Sequence, residues 1–379
     1  MANTLTSLIP DAYAALDVVS RELTGFIPAV GRDSRADRVA ANQSLRSIVA
    51  PVNAAGGTIT PAMSIPSAAD QTIGNKALVI DNYRYFPFSW SGEEQASVNT
   101  GPGFLTIKQD QIAQAIRAAV NEIEASIAVA AKNGASRAFG ATAGTAPLFT
   151  DWAQAKKILD DNGAPSSDRH SVIDTTAGVA LRSTSNLYKV NEGGDASLLR
   201  QGVLGNLFGF DIRESAQVQT PTAGTGASYT TTNAGFAVGT TSIPIITGTG
   251  TVLAGDIVTF AGDTNKYVVA TGVSAPGTIV LQEPGLRVAM SAATKAMTIF
   301  GTSARNIAFS RNAIVLATRL PEVPEGGDLA IDRQVITDPR TGLSFEIAMY
   351  PGYRMAVYHI SIAWGVKVFK NEHIATIIG

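Results

Sequence analysis

The chain has 379 residues, with 29 lysine and arginine residues against 31 aspartate and glutamate residues, and a formal net charge of −2. This length allows two or three domains, or one domain that carries a large insertion. The near-neutral balance argues against a dedicated nucleic-acid binder, because such a protein needs a bulk positive field. The sequence contains no cysteine, which excludes disulfides, thiolate zinc sites, iron–sulfur clusters and a cysteine nucleophile.

Charged residues make up 16% of the sequence and hydrophobic residues 45%, whereas about 25% of residues are charged in ordinary soluble domains. This composition is typical of a subunit whose surface is covered by neighbours, since interface cores are depleted of charge. A monomer with a neutral surface is the alternative. We find no run of 18 apolar residues and no basic segment before an apolar core at the N-terminus, so the expectation is a soluble product without a signal peptide.

The first 57 residues are predicted to form a short amphipathic helix and an extended arm. Pro10 and Asp11 mark the helix start and Gly25 its end. Four arginines follow, namely Arg32, Arg35, Arg38 and Arg46. Two interpretations stay open: the arginines contact packaged nucleic acid or a partner, or they belong to a solvated arm in which Asp33 and Asp37 balance them.

Two β-like runs, residues 58–65 and 77–90, are joined by the small and polar residues 66–76. This pattern predicts a long two-stranded hairpin. Two strands alone are marginal in water, so the hairpin needs a surface to lie on. The candidate subunit-interface residues are its apolar and aromatic side chains, namely Met63, Ile65, Tyr83, Tyr85, Phe86, Phe88 and Trp90. Packing of the aromatic series against the chain's own core is the alternative.

Residues 107–133 carry the strongest helical periodicity. One stripe contains the apolar residues Ile112, Ile116, Val120, Ile123, Ile127 and Ala130. At 1.5 Å per residue the helix is about 40 Å long, which exceeds what a compact domain of this size needs. We interpret it as a spine. A second helix is predicted from Thr150 to Asn162, followed by a buried strand at 171–174 and a helix at 175–181.

Composition changes at Gln219, where residues 219–234 form a low-complexity linker. Short strands follow at residues 242–247, 256–260, 267–271, 278–281 and 296–300. They predict a small β-barrel or sandwich. Its expected core residues are Ile245, Ile257, Phe260, Val268, Ile279 and Leu281, and we expect the barrel to need nothing from the rest of the chain. Longer strands return after residue 305, including a hairpin of residues 333–336 and 343–349, so the barrel is an insertion in a mixed α/β body.

No motif in the sequence assembles a catalytic, cofactor or metal site. The three histidines, His170, His359 and His373, each stand without a second ligand at metal-binding spacing. The glycine-rich run 248–255 has the wrong spacing for a phosphate loop and predicts a β-turn. Two adjacent carboxylates, Asp160 and Asp161, are expected to point apart into water. The chain is therefore predicted not to be an enzyme and to carry no cofactor.

The order of these parts resembles the major capsid protein of tailed bacteriophages, with the Hong Kong 97-type fold. The barrel strand at residues 254–262 is similar to one in the insertion domain of the podovirus coat-protein class. Residues 17–28 in the opening helix, and residues 362–367 with 372–375 near the end, are also similar to that class. The motifs are short, and the resemblance in order covers nearly the whole chain.

The resemblance implies an α+β fold made of an N-terminal arm, an extended hairpin loop, a long spine helix, peripheral and axial domains, and a small all-β insertion. The implied divisions are residues 1–57 for the N-terminal helix and arm, 58–103 for the extended hairpin, 104–218 for the spine helix and first part of the body, 219–303 for the inserted barrel with its linker, and 304–379 for the second part of the body.

The resemblance also implies function. The chain is expected to form hexamers and pentamers of an icosahedral head, assembled in the host bacterial cytoplasm around a separate scaffolding protein and a portal protein, and finally enclosing double-stranded DNA without sequence preference. No membrane is involved. Some relatives join subunits by a Lys–Asn isopeptide bond, for which Lys76 and Asn371 are formally available. The alternative function is a β-rich surface binding module or adhesin built on residues 219–303.

Overall fold

The computed structural model describes residues 22–40, 42–49, 61, 74–98, 104–140, 143–184 and 204–379. The helices are α1 (Phe26–Ala29), α2 (Gly92–Val98), α3 (Phe104–Gly134), α4 (Phe149–Asp161) and α5 (Thr175–Arg182), with short 3-10 turns at Arg311–Ala313 and Asn371–His373. The strands of the first half are β1 (Gly31–Val39), β2 (Ser44–Val49), β3 (Gly74–Val79), β4 (Asn82–Ser91), β5 (Arg137–Phe139), β6 (Arg169–Ile173), β7 (Asn206–Leu207) and β8 (Phe210–Glu214). Those of the second half are β9 (Thr230–Thr231), β10 (Ser242–Ile246), β11 (Ile257–Phe260), β12 (Lys266–Thr271), β13 (Gly277–Leu281), β14 (Met297–Ile299), β15 (Arg305–Ser310), β16 (Ile314–Pro321), β17 (Asp332–Thr337), β18 (Ser344–Gly352), β19 (Met355–Val368) and β20 (Ile374–Ile378).

A six-stranded sheet is built around β19, the longest strand. Strand β19 pairs with β16 and β18 along one edge and with β4 along the other. Strand β1 extends the sheet from β16, and β17 extends it from β18. The pair β1 and β16 is parallel, and the other neighbours are antiparallel. The hairpin predicted at residues 333–336 and 343–349 is confirmed as β17 and β18.

Helix α3, which we call the spine helix, packs on one face of this sheet. The predicted helix is confirmed and extends over 31 residues, or about 46 Å. Its apolar stripe from Ile112 to Ile127 is buried in the main core with Ile360 and Trp364 of β19. The helix ends at Gly134, where a Cβ would lie 2.6 Å from the Val368 side chain. A glycine is therefore needed for the close approach of the helix end to β19.

A second sheet begins with the order β7-β8-β6-β15-β20-β5, and α4 and α5 pack against it. The helices and strand predicted in this part are confirmed within two residues. The N-cap residue of α4 is Leu148, and the Asp151 carboxylate accepts a hydrogen bond from the Leu148 N–H at 2.9 Å. Asp174 caps α5 by accepting from the Ala177 N–H.

All five strands predicted between residues 242 and 300 are confirmed, as β10 to β14. They enclose an apolar core of their own, which contains Ile243, Ile245, Val258, Phe260, Ile279 and Leu281. The glycine-rich run 248–255 connects β10 and β11, with a turn at residues 254–255 and isolated β-bridges at Thr249 and Val252; Gly248, Gly250 and Gly255 have positive φ.

The expected independence of this region is wrong in three respects. Strand β12 pairs with β5 of the body, so the second sheet continues into the inserted strands. Ile257 and Val268 point away from the inserted core and are buried in the main core with the spine helix. The linker also contributes to the inserted core, because Tyr229 is buried there and donates its hydroxyl hydrogen bond to Gly250 O.

The predictions for the first 100 residues need correction too. Residues 31–39 are a strand of the six-stranded sheet rather than a solvated arm. Residues 77–90 belong to two strands rather than one, because Ile80 and Asp81 interrupt the strand conformation between β3 and β4. Among the described residues the partner of β3 is β2, residues 44–49. The predicted helix at residues 10–21, and residues 58–65 apart from residue 61, lie outside the described residues.

We expect Ile116→Asp to unfold the subunit, because it places an unpaired carboxylate in the main core at a cost of more than about 3 kcal/mol. The matched control is Ala118→Asp, which puts the same side chain on the exposed side of the same helix and should change stability by less than about 1 kcal/mol. Urea unfolding measures both. Equal losses would contradict the assignment of the buried stripe.

A second pair of variants tests the junction between the inserted strands and the body. Ile279→Ala opens a cavity in the inserted core at a local cost of about 2–5 kcal/mol, so amide exchange should accelerate in β10 to β13 and stay slow in the spine helix. Ile257→Ala, whose side chain lies in the main core, should accelerate exchange in the spine helix as well. Hydrogen exchange with mass spectrometry separates the two results, and identical patterns would contradict the placement of Ile257.

Candidate interaction surface

The five described candidates for the subunit interface lie on β4, which pairs with β19 in continuous register from Asn82 to Ser91. Side chains of a strand alternate between the two faces of the sheet. Phe86, Phe88 and Trp90 therefore share the face that carries the spine helix, and Tyr83 and Tyr85 share the opposite face, which we call the outer face. Met63 and Ile65 lie outside the described residues.

The inward-facing aromatic residues belong to the core. Trp90 is buried, and its indole Nε1 donates a hydrogen bond to Gln111 Oε1 of the spine helix at 2.6 Å. Phe88 stacks on Tyr358 with ring centroids 5.0 Å apart, and Phe86 packs against the same core. These three side chains pack on the chain's own core, with Phe86 and Phe88 half-buried, and their contact with a neighbouring subunit stays a prediction.

The two tyrosines on the outer face differ from each other. Tyr83 folds back on its own subunit, because its hydroxyl donates to the carbonyl oxygens of Ala40 and Ile80 at 2.7 and 3.0 Å. Tyr85 is 61% exposed and stacks on His359 with centroids 4.8 Å apart. The ring of Tyr350 lies 4.9 Å from the same histidine. Partial burial lowers the pKa of His359, so its imidazole is neutral at pH 7 and adds no charge to this aromatic group.

Residues paired directly across antiparallel strands point to the same face. One row of the outer face therefore crosses four strands through Tyr85, Ser361, Glu346 and Val335. Sequence analysis missed several exposed apolar residues on this face and its rim, which are Leu329, Ile331, Val335, Tyr353 and Met355. The alternation in the predicted strand at 333–336 could have identified Val335. The loop before β17 gave no comparable signal for Leu329, which is 81% exposed.

The charged groups around Glu346 on the outer face are paired within the subunit. Glu346 is buried, forms an ion pair with Arg38 of β1, and lies 3.5 Å from Arg333 Nε. Arg333 also contacts Asp328 at 2.5 Å, and that carboxylate accepts from the Tyr350 hydroxyl at 2.8 Å. Since these charges neutralise one another, the outer face presents aromatic and aliphatic surface rather than a field of one sign.

The free edge of β4 is protected against pairing. Among the described strands β4 pairs with β19 alone, and Pro87 lies in the middle of an unbroken register opposite His359. A proline has no N–H to donate, so its nitrogen must face the open edge for the ladder to continue. Proline on an edge discourages the addition of another strand. Contact with a partner is thus expected through the outer face rather than through the β4 edge.

The predicted arginine arm also finds its contacts inside the subunit. Arg32 donates to the carbonyl oxygen of Thr341, and Arg38 donates to that of Pro321 besides its ion pair with Glu346. Arg46 is exposed on β2, and the side chain of Arg35 lies outside the described residues. The two arginines with described contacts therefore stabilise the position of β1.

A groove of about 490 Å³ brings Lys76 and Asn371 to one place in the same subunit. The Lys76 ammonium donates to Phe369 O at 2.6 Å, and the Asn371 amide donates to Gly134 O at 3.0 Å and Gln282 Oε1 at 2.9 Å. Among the described residues that line it, none is a carboxylate. An isopeptide bond needs a base to take the lysine proton, so this geometry offers the cross-link no support.

The remaining titratable residues considered in the sequence, which include His170, Asp160 and Asp161, lie next to charged side chains of the same subunit. His170 is buried, and its ring nitrogens lie 3.0 Å from Asp168 and 3.4 Å from Asp211, two carboxylates that sequence spacing did not bring together. Asp160 and Asp161 are exposed, as expected, and each also pairs with an arginine, Arg169 and Arg137 respectively. Within the part of the chain that the structure describes, no three His, Asp or Glu side chains are placed to hold a metal ion.

None of the helices among the described residues combines the length and the apolar character needed to cross a membrane.

Comparison with known proteins gives a likeness in fold and none in sequence. No protein-family model matches the chain, and no curated protein does. A structure from Mycobacterium phage Che8 superimposes with a TM-score of 0.51 at 15% identity, covering 95% of this chain and 92% of that chain. The capsid structure of the cyanophage P-SCSP1u gives a TM-score of 0.53 at 13% identity, covering 96% and 90%. The chain therefore has the α+β fold found in that phage capsid.

The two faces of β4 predict opposite effects of substitution. Trp90→Ala removes a buried indole and its hydrogen bond, so it should lower the free energy of unfolding by about 3–5 kcal/mol. Tyr85→Ala removes an exposed ring and should cost less than about 1 kcal/mol. Denaturant unfolding of the isolated subunit measures both, and a larger loss for Tyr85→Ala would contradict the assignment of faces.

Proposed function

We propose that the chain is the major capsid protein of a tailed bacteriophage and builds the icosahedral head that encloses double-stranded DNA. The observation that carries the proposal is the likeness in fold over nearly the full length of both chains to a cyanophage capsid. The spine helix on a mixed six-stranded sheet and the β2–β3 pair that precedes it in the chain support the Hong Kong 97-type resemblance. The role is structural rather than enzymatic.

The outer face is the proposed contact between copies. It combines Tyr85 with exposed aliphatic residues from β17 and from the β18–β19 hairpin, while its charges are paired internally. A shell subunit must bury such surface against neighbours, because contiguous exposed apolar patches are rare in monomers. The low charge of the whole sequence agrees with extensive coverage by other copies.

The domain divisions are retained as proposals, namely the N-terminal helix and arm, the extended hairpin, the two parts of the body, and an insertion at residues 219–303. The separate core of residues 229–297 supports the insertion, and its strand pairing with β5 indicates that it is attached as a continuation of the body sheet. Membership of the podovirus coat-protein class rests on the resemblance of residues 254–262, of residues 17–28, and of residues 362–367 with 372–375.

Further partners follow from the resemblance alone: a separate scaffolding protein, a portal protein, and packaged DNA bound without sequence preference. Assembly in the host cytoplasm and residence in the virion are proposed on the same ground. The net charge of −2 supports weak and non-specific contact with DNA rather than tight binding.

The adhesin alternative finds no support in the inserted region. A sugar-binding platform requires exposed aromatic rings, but Phe260 and Tyr267 are buried and Phe236 and Phe300 are half-buried. These rings fill the core of the inserted strands and its junction with the body.

Assembly of purified subunits tests the proposal. Tyr85→Ser combined with Val335→Ser should leave the subunit folded and abolish or strongly reduce shell formation, because both side chains lie in one row of the outer face. The matched control is Val179→Ser on α5, an equally small change at a valine that is 65% exposed and away from this sheet. Sedimentation and negative-stain microscopy measure shells. If the wild type forms none under any assembly condition, the proposed function fails; if the double variant assembles normally, the proposed interface fails.

A further inference from the structure

A single buried carboxylate holds the N-terminal segment on the spine helix. Glu124 is fully buried, and its oxygens accept hydrogen bonds from the backbone N–H groups of Gly25, Phe26 and Ile27 at 2.6, 2.7 and 2.9 Å. The Ser215 hydroxyl donates a fourth bond at 2.8 Å. One side chain thus joins the N-terminal segment, the spine helix and the strand that leads towards the inserted region.

This arrangement leaves little freedom for residues 25–27. A Cβ on Gly25 would lie 2.8 Å from Val172 Cγ1 and 2.9 Å from Glu214 O, so the backbone can approach this closely only as glycine. Burial raises the pKa of Glu124, and the four donated hydrogen bonds counteract that rise. If the segment left, the carboxylate and three backbone donors would lose their partners in an apolar surrounding, which is costly.

A second and different contact lies two turns back along the same helix. Arg117 donates to the Glu22 carboxylate at 2.7 and 2.9 Å, and both side chains are about a quarter to a third exposed. Hydrogen bonds from Arg117 lower the pKa of Glu22 to about 2, so the pair stays ionised in mild acid. Exposed ion pairs contribute little to stability and are screened by salt.

We propose that residues 22–27 are held on the spine helix by two contacts that open separately. The outer contact, the Glu22–Arg117 ion pair, can break while the inner anchor, the hydrogen bonds to Glu124, stays intact. Residues 22–24 can then change direction without unfolding the subunit, whereas residues from 25 onward stay fixed to the core through Phe26 and Ile27. The inference depends on contacts within one chain, so it stands or fails independently of the proposed function.

The two stages have separate reporters in the backbone. The Ala216 amide donates to Leu23 O at 3.2 Å, so its hydrogen exchange reports on residues next to the outer contact. The Phe26 and Ile27 amides donate to Glu124, so their exchange reports on the inner anchor. Residue-level hydrogen exchange with mass spectrometry on the full chain follows both at once.

Opening the Glu22–Arg117 ion pair should change hydrogen exchange at the Ala216 amide alone. In Arg117→Gln, and in the unaltered chain at 1 M NaCl, exchange at Ala216 should accelerate by up to about fivefold, while Phe26 and Ile27 stay unchanged. The matched control is Glu122→Gln, which removes an exposed ion pair with Arg84 from the same helix and should alter neither reporter. Equal acceleration at Phe26 and Ile27 in Arg117→Gln would overturn the two-stage arrangement.

Weakening the inner anchor should affect the second reporter. Glu124→Gln replaces an oxygen that accepts backbone N–H bonds with an amide donor, so exchange at Phe26 and Ile27 should accelerate by about 10–100-fold. If that variant does not fold, Ser215→Ala decides the matter, because it removes one of the four bonds and should accelerate the same amides by about tenfold. Unchanged exchange at Phe26 and Ile27 in folded Ser215→Ala would overturn the role of the anchor.

Discussion

The contact between the spine helix and β19 is the constraint on which the rest of the structure depends. This strand has β4 along one edge and β16 and β18 along the other, and the helix covers one of its faces. Gly365 lies where β3 crosses β19, and a Cβ there would be 2.1 Å from Val79 O. One strand therefore positions the β2–β3 hairpin, the N-terminal strand through β16, and the helix, although these parts are far apart in sequence.

Strand β3 packs on the outer face near Ala363 and Gly365, and the part of that face left uncovered has a direct consequence for association. The helix buries Phe86, Phe88 and Trp90, and no described element covers Tyr85 and Val335 on the outer face. The charges around Glu346 on that face form ion pairs with one another. This part of the face therefore loses little charge hydration when a partner covers it. With Pro87 discouraging strand addition at the edge of β4, the fold directs contact to the face of the sheet.

The elements that sequence analysis predicted correctly are those with a local pattern. The apolar stripe of the spine helix repeats within each turn, and each inserted strand has turn residues at both ends, so no distant partner was needed. The errors concern non-local pairing. Residues 77–90 look like one strand, but residues 77–79 and 82–90 pair with different partners. In β11, Ile257 and Val258 are equally apolar neighbours, yet they enter different cores, a distinction that requires the body to be in place.

The same junction explains why the inserted strands and the body depend on each other. Arg305 opens the strand that follows the insertion and is almost completely buried, which lowers its pKa to about 10. Its hydrogen bond runs to Ser303, while the charge that favours its ionised form comes from Asp256, a buried carboxylate at the turn before β11. A buried cation deprived of that carboxylate is strongly destabilised. The charge of Asp256 therefore favours the ionised form of Arg305, so the inserted region supports the body electrostatically as well as through the pairing of β12 with β5.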